Sequence, residues 1–177
     1  MPLALGAGYF HELENNFVLG FGMDYGLLGR GTENFSHTST NSGGIVFGVR
    51  NMSYAVSHRA SVFLMPGYAF APDKLGYVKL GYSGQTLTYK QLADPISGLN
   101  KNFSESRWQH GFIIGLGYKQ IIADGFYGFA EANYLAYTPS TISGDSFDGQ
   151  SSSVIRLISG PSQSAHNVLF GVGYAFH

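Results

Sequence analysis

Cysteine is absent from the 177 residues, so the chain can form neither a disulfide framework nor a thiolate metal site. Charge is scarce too: 12% of residues are Asp, Glu, Lys or Arg, against about a quarter in an average soluble domain. A net charge of −1 offers nothing to nucleic acid. No stretch approaches the roughly 18 apolar residues of a transmembrane helix, and neither helical periodicity nor a Pro- or Ser-rich linker is present. Residues 1–177 are therefore expected to form a single domain. No charged start, apolar stretch and small-residue cleavage site precede the first strand-like segment at Leu3. The opening Met1-Pro2-Leu3 is thus expected to belong to a mature or amino-terminally truncated chain.

What the chain has instead is 25 glycines and 15% aromatic residues. That composition would give a poorly solvated surface in water. The mean hydropathy is near zero, but two faces of opposite character along each strand cancel in any average. A period of two is plain in three segments. Val168, Phe170, Val172, Tyr174 and Phe176 oppose Asn167, Leu169, Gly171, Gly173 and Ala175. Phe17, Leu19, Phe21, Met23, Tyr25 and Leu27 oppose Val18, Gly20, Gly22, Asp24 and Gly26. Trp108, His110, Phe112, Ile114, Leu116 and Tyr118 oppose Gln109, Gly111, Ile113, Gly115, Gly117 and Lys119. Segments 3–10, 62–70, 76–88 and 126–138 alternate more loosely, which brings the crossings to seven. The expected fold is all-β, an antiparallel up-and-down transmembrane β-barrel of the eight-stranded kind, with large apolar residues toward lipid and small ones toward the lumen. A soluble barrel of lipocalin type would need its charges on the outside, and the face opposite the aromatics is glycine-rich and nearly uncharged.

The connections fall into two classes. Glu14-Asn15-Asn16, Pro72-Asp73-Lys74 and Ala123-Asp124-Gly125 are tight turns of turn-forming residues, whereas 31–61, 89–106 and 139–164 are long and polar. Short periplasmic turns alternating with long extracellular loops give that pattern. The alternation stays in phase if 44–61 extends the strand at 62–70, which then needs a bulge, because the apolar parity changes between Val49 and Met52. The alternative is a separate crossing at 45–55. An even strand number is reached by that crossing or by a first strand upstream of Met1, and the upstream strand is the favoured expectation.

The terminal Gly171-Val172-Gly173-Tyr174-Ala175-Phe176 resembles the last strand that outer-membrane barrels present to their assembly machinery, although His177 stands where an aromatic is usual. Met65-Pro66-Gly67-Tyr68-Ala69-Phe70 with Leu75-Gly76-Tyr77-Val78-Lys79-Leu80-Gly81-Tyr82, and the glycine–tyrosine hairpin at 115–134, resemble the opacity-type and OmpA/OmpX-like small barrels. The resemblance implies a bacterial outer-membrane location and a structural or adhesin-like surface role. It implies lipid, lipopolysaccharide and the barrel-assembly machinery as partners, and a host or surface ligand at the loops. A monomer without cofactor or enzymatic activity is expected, with a lipid-modifying enzyme and a small pore as alternatives.

Candidate site residues follow from alternation. Lys79, Lys119 and Glu131 fall on the small-residue face at similar distance from their turns, with Asp24 on the same face and higher. Turned toward lipid near the midplane, a lysine would cost roughly 2–4 kcal/mol. These four are expected to form a structural ion cluster in the lumen, with Glu131 opposite about residue 117 and paired with Lys119 or Lys79. Trp108, Tyr118, Tyr134, Tyr137, Tyr174 and Phe176 are expected at the membrane interfaces. His37 and Ser39, within His37-Thr38-Ser39-Thr40-Asn41, have a spacing similar to the His-x-Ser of outer-membrane lipid hydrolases, but they lie in a polar stretch expected to be loop and lack an acidic third member. The six histidines show no paired spacing for a metal.

Overall fold

In a computed structural model of the chain, the described residues are 3–33, 35–40, 46–91, 102–123, 125–139, 142–147, 154–159 and 163–176. Nearly all of them are strand. The elements are β1 (Ala4–Glu12), β2 (Phe17–Gly26), β3 (Arg30–Gly31), β4 (Phe35–Thr40), β5 (Val46–Ala71), β6 (Lys74–Gln91), β7 (Phe103–Ala123), β8 (Phe126–Tyr137), β9 (Ile142–Phe147), β10 (Val154–Ser159) and β11 (Gln163–Tyr174). The main sheet runs β1-β2-β5-β6-β7-β8-β11, with β3 and β4 also paired to β5, and every ladder is antiparallel. The seven strands of that path are the seven alternating segments of the sequence. β9 and β10 form a separate hairpin.

Local chemistry sets the turns. Asn15 and Asn16 take the left-handed backbone (φ 59° and 65°) inside a single 3₁₀ turn between β1 and β2, a conformation that asparagine tolerates better than most residues. Gly125, at φ 83°, plays the same part between β7 and β8. Asp124 of that turn lies outside the described residues. Pro72 and Asp73 close the β5–β6 hairpin, with Ala71 opposite Lys74.

The segment at 44–61 is not a separate crossing, because residues 46–61 run without a break into the rest of β5. The register slips between Ser57 and Ala60, which face Thr86 and Gly84, so β5 carries one extra residue there. His58 sits in that bulge at φ 51°. The strand over 46–61 is the extension expected of the segment at 62–70, whereas the rest of the stretches expected as long loops contain strands that were not expected. Much of 31–61 is strand, as are the ends of 89–106, and 139–164 contains the β9–β10 hairpin. In β4, β9 and the start of β7 polar side chains hid the ladders, since backbone pairing needs no apolar face.

The sheet is strongly curled. Four strand steps separate β1 from β7, about 19 Å in a flat sheet, yet Lys119 Nζ on β7 lies 4.2 Å from the ring centre of Phe10 on β1. Gln85 on β6 likewise reaches Gln163 on β11 at 2.9 Å. β1 and β11 are the sheet's edges, and no ladder joins them among the described residues. The inside of the curl holds the buried residues. The outside is apolar: 30 large hydrophobic side chains are exposed among the described residues, against nine that are buried.

Candidate functional site

Alternation puts Tyr77 and Lys79 of β6, Glu131 and Asn133 of β8, and Asp24 of β2 on the inner face. The ladders then set their rows: Tyr77–Gly117–Glu131, and Lys79–Gly115–Asn133. The two glycines of β7 are what lets β6 and β8 meet. A Cβ on Gly117 would fall 2.2 Å from Tyr77 Cζ, and one on Gly115 would fall 2.2 Å from Asn133 Oδ1. Over this cleared strand Tyr77 donates its hydroxyl to Glu131 Oε1 at 2.6 Å, and Lys79 reaches Glu131 Oε2 at 3.1 Å. Asn133 Nδ2 donates to the same Oε2 at 3.2 Å. In the other direction Lys79 meets Asp24 Oδ2 at 3.1 Å and stands 3.7 Å over the Phe63 ring. Lys79 is 3% exposed and Glu131 7%, so this is a buried, hydrogen-bonded ion triad spanning the curl.

Three of the four residues expected in the cluster are therefore together. Glu131 does lie opposite Gly117, and its lysine is Lys79. Asp24 aligns with Ser61 and Ser83, two inner rows above Lys79, so it is higher, as expected, and the extended lysine reaches up to it. Lys119 is the exception. It forms no ion pair among the described residues, and its ammonium lies among Phe10, Tyr77 and Tyr127, at 4.2, 5.5 and 4.9 Å from their ring centres. The Tyr77 ring, filling the space over Gly117, takes the side of Glu131 that Lys119 would have used. The alternation could not show this, because it gives a residue's face and not the ring that lies between two charges.

Level with Asp24 and above Lys79, Ser61, Ser83 and Tyr137 share hydrogen bonds of 3.1 and 2.9 Å, and one row further Gln85 donates to Gln109 at 3.2 Å. Tyr137 was expected at an interface with Tyr134. At 6% exposed it belongs instead to the inner face, as parity requires, since residues 134 and 137 of one strand point to opposite sides.

The outer face carries two rows of rings. Near the tight turns, Phe17 meets Tyr68, Tyr68 meets Phe70, Phe126 meets Tyr174 and Tyr174 meets Phe176, with centroids 5.0–5.6 Å apart. Tyr118 is exposed on that side too. Toward the long connections, Tyr25 pairs with His58, Tyr82 with His110, and Tyr134 with His166, and Trp108 adjoins Tyr82. On four strands the interval is the same. Phe17 and Tyr25 on β2, Tyr118 and His110 on β7, Phe126 and Tyr134 on β8, and Tyr174 and His166 on β11 are each eight residues apart, which is about 26 Å along a strand.

His37 and Ser39 lie in β4, paired with Val49 and Phe47. Their side chains lie outside the described residues, as does Asn41. Among the described residues no group of three or more His, Asp and Glu side chains is placed to hold a metal. Comparison with known protein families and with curated proteins finds no match to this chain.

Proposed function

We propose that this chain is an integral protein of the bacterial outer membrane, a small up-and-down β-barrel of opacity-like type with a structural or surface-recognition role and no enzymatic activity. The observation that carries the reading is the exposed apolar face bounded by two aromatic rows. Burying a large apolar side chain contributes about 1.5–3 kcal/mol. Forgoing a third of that over the 30 exposed side chains amounts to roughly 15–30 kcal/mol, more than the ~5–15 kcal/mol net stability of a domain. Lipid removes the conflict. An interval of about 26 Å on strands tilted about 40° spans roughly 20 Å of height, close to the apolar band of about 25 Å that such barrels present between their aromatic girdles.

On this reading the tight turns are periplasmic, and lipid, lipopolysaccharide and the assembly machinery are the partners in the envelope. The upper parts of β4–β7 and the β9–β10 hairpin stand outside, where a surface ligand would bind. The inner face argues for a closed interior rather than a pore, because ion triad, serine–tyrosine and glutamine layers follow one another across it. Urea-unfolded protein diluted into phosphatidylcholine vesicles should acquire a β-type circular dichroism spectrum, protease protection and a gel mobility that changes on boiling. A monomer natively folded in detergent-free buffer would overturn the proposal.

A further inference from the structure

The two aromatic rows differ in chemistry. The row near the tight turns pairs phenylalanine with tyrosine, whereas each tyrosine of the other row faces a histidine: Tyr25 with His58, Tyr82 with His110, and Tyr134 with His166. Two of these pairs are hydrogen bonds to a defined ring nitrogen. Tyr25 OH lies 2.7 Å from His58 Nδ1, and Tyr82 OH lies 2.5 Å from His110 Nδ1. At His110 the tyrosine oxygen has a second partner. Trp108 Nε1 donates to Tyr82 OH at 3.5 Å, and an indole N–H can only donate. With the Tyr82 hydrogen given to His110 Nδ1, the imidazole hydrogen lies on Nε2 and points away from the tyrosine. His58, His110 and His166 are all exposed. The row is therefore a collar of exposed imidazoles on the outer face, each set against a tyrosine on an adjacent strand.

We infer that this collar binds the phosphate of a lipid headgroup in the leaflet nearest the long connections. The inference rests on the membrane-spanning reading above. In that setting the rings sit where hydrocarbon gives way to headgroups, and a phosphomonoester supplies oxygens that accept from N–H donors in a partly dry layer, where such charge-assisted bonds are short and strong. The phenylalanine–tyrosine row has no such donors. His11, exposed on β1 near the tight turns, has no hydrogen bond or ring contact to a tyrosine among those described and serves as an internal control.

The test uses the full chain, histidine-labelled with nitrogen-15 and folded into phosphatidylcholine vesicles or nanodiscs, with phosphatidic acid as the phosphomonoester lipid. Adding phosphatidic acid should move the Nε2 resonances of His58, His110 and His166 in a saturable way, leave His11 in place, and raise the temperature at which gel mobility changes. Inorganic phosphate at the same concentration should do neither, which separates a lipid headgroup from free phosphate. The His58→Phe/His110→Phe/His166→Phe protein should insert and lose the phosphatidic-acid stabilisation, and Tyr82→Phe should weaken the response at His110 alone. Resonances that ignore phosphatidic acid, or a triple variant that keeps the full stabilisation, would overturn the collar. Failure to enter plain phosphatidylcholine would overturn the membrane reading and the collar with it, so the two failures are distinguishable.

Discussion

Removing Glu131 tests the interior directly. Glu131→Ala deletes the acceptor of three donors: Lys79 at 3.1 Å, Tyr77 at 2.6 Å and Asn133 at 3.2 Å. Deleting one member of a buried ion pair typically costs about 3–5 kcal/mol. Two neutral donors left without an acceptor cost about 1–3 kcal/mol each, so both routes give a similar figure. Lys79 keeps Asp24 as a counter-ion at 3.1 Å, which places the expected loss at the lower end, about 3 kcal/mol. With a urea slope of about 1–3 kcal/mol per molar, the unfolding midpoint in vesicles should fall by roughly 1–3 M. A double-mutant cycle identifies the partner. Glu131→Ala combined with Lys79→Met should show a coupling of about 0.5–3 kcal/mol, larger than that of Glu131→Ala with Lys119→Met, because Lys119 sits among aromatic rings. An unchanged midpoint, or a coupling centred on Lys119, would refute the geometry. A steady conductance in planar bilayers, present in Glu131→Ala and absent in the parent, would replace the closed interior by a gate.

Gly117→Ala should lower the urea midpoint by an amount equivalent to about 1–3 kcal/mol, since its methyl group would collide with the Tyr77 ring at 2.2 Å. Gly128→Ala, whose methyl would meet only the tip of Ile122 at 3.3 Å, should stay within about 0.5 kcal/mol of the parent. In whole cells, Ser146→Cys should react with a membrane-impermeant thiol reagent while Asp124→Cys is protected. The reverse pattern would invert the proposed topology.

Most of the sheet was legible because period two is a strong constraint where one side is large and apolar. The runs Phe17–Leu27, Trp108–Tyr118 and Val168–Phe176 fixed both a strand and its faces, and the asparagines and glycine at 15, 16 and 125 marked turns whose left-handed backbone the structure shows. Three upper segments were illegible for the opposite reason: β4, β9 and the first residues of β7 are rich in Ser, Thr and charged residues, so no face stands out. Glu131 could be placed opposite Gly117 by counting from a turn. Its contact with Lys79 could not be told from one with Lys119, because that choice depends on which strand the Tyr77 ring crosses. The Tyr25–His58 pair had no signal, since the pairing of β2 with β5 joins residues 33 apart in sequence across a polar stretch.

That extra residue works as a phase inverter. Below it, even-numbered Val62 and Leu64 point outward and Phe63 and Met65 point inward. Above it, even-numbered Met52, Tyr54 and Val56 pack inward against Leu87 and Tyr89. One strand thereby carries two amphipathic patterns of opposite parity, one suited to a hydrocarbon surround and one to an aqueous one, with His58 at the junction. The upper part of the strand is thus written in its own frame, and its residues can be exchanged without shifting the frame of the part proposed to face lipid.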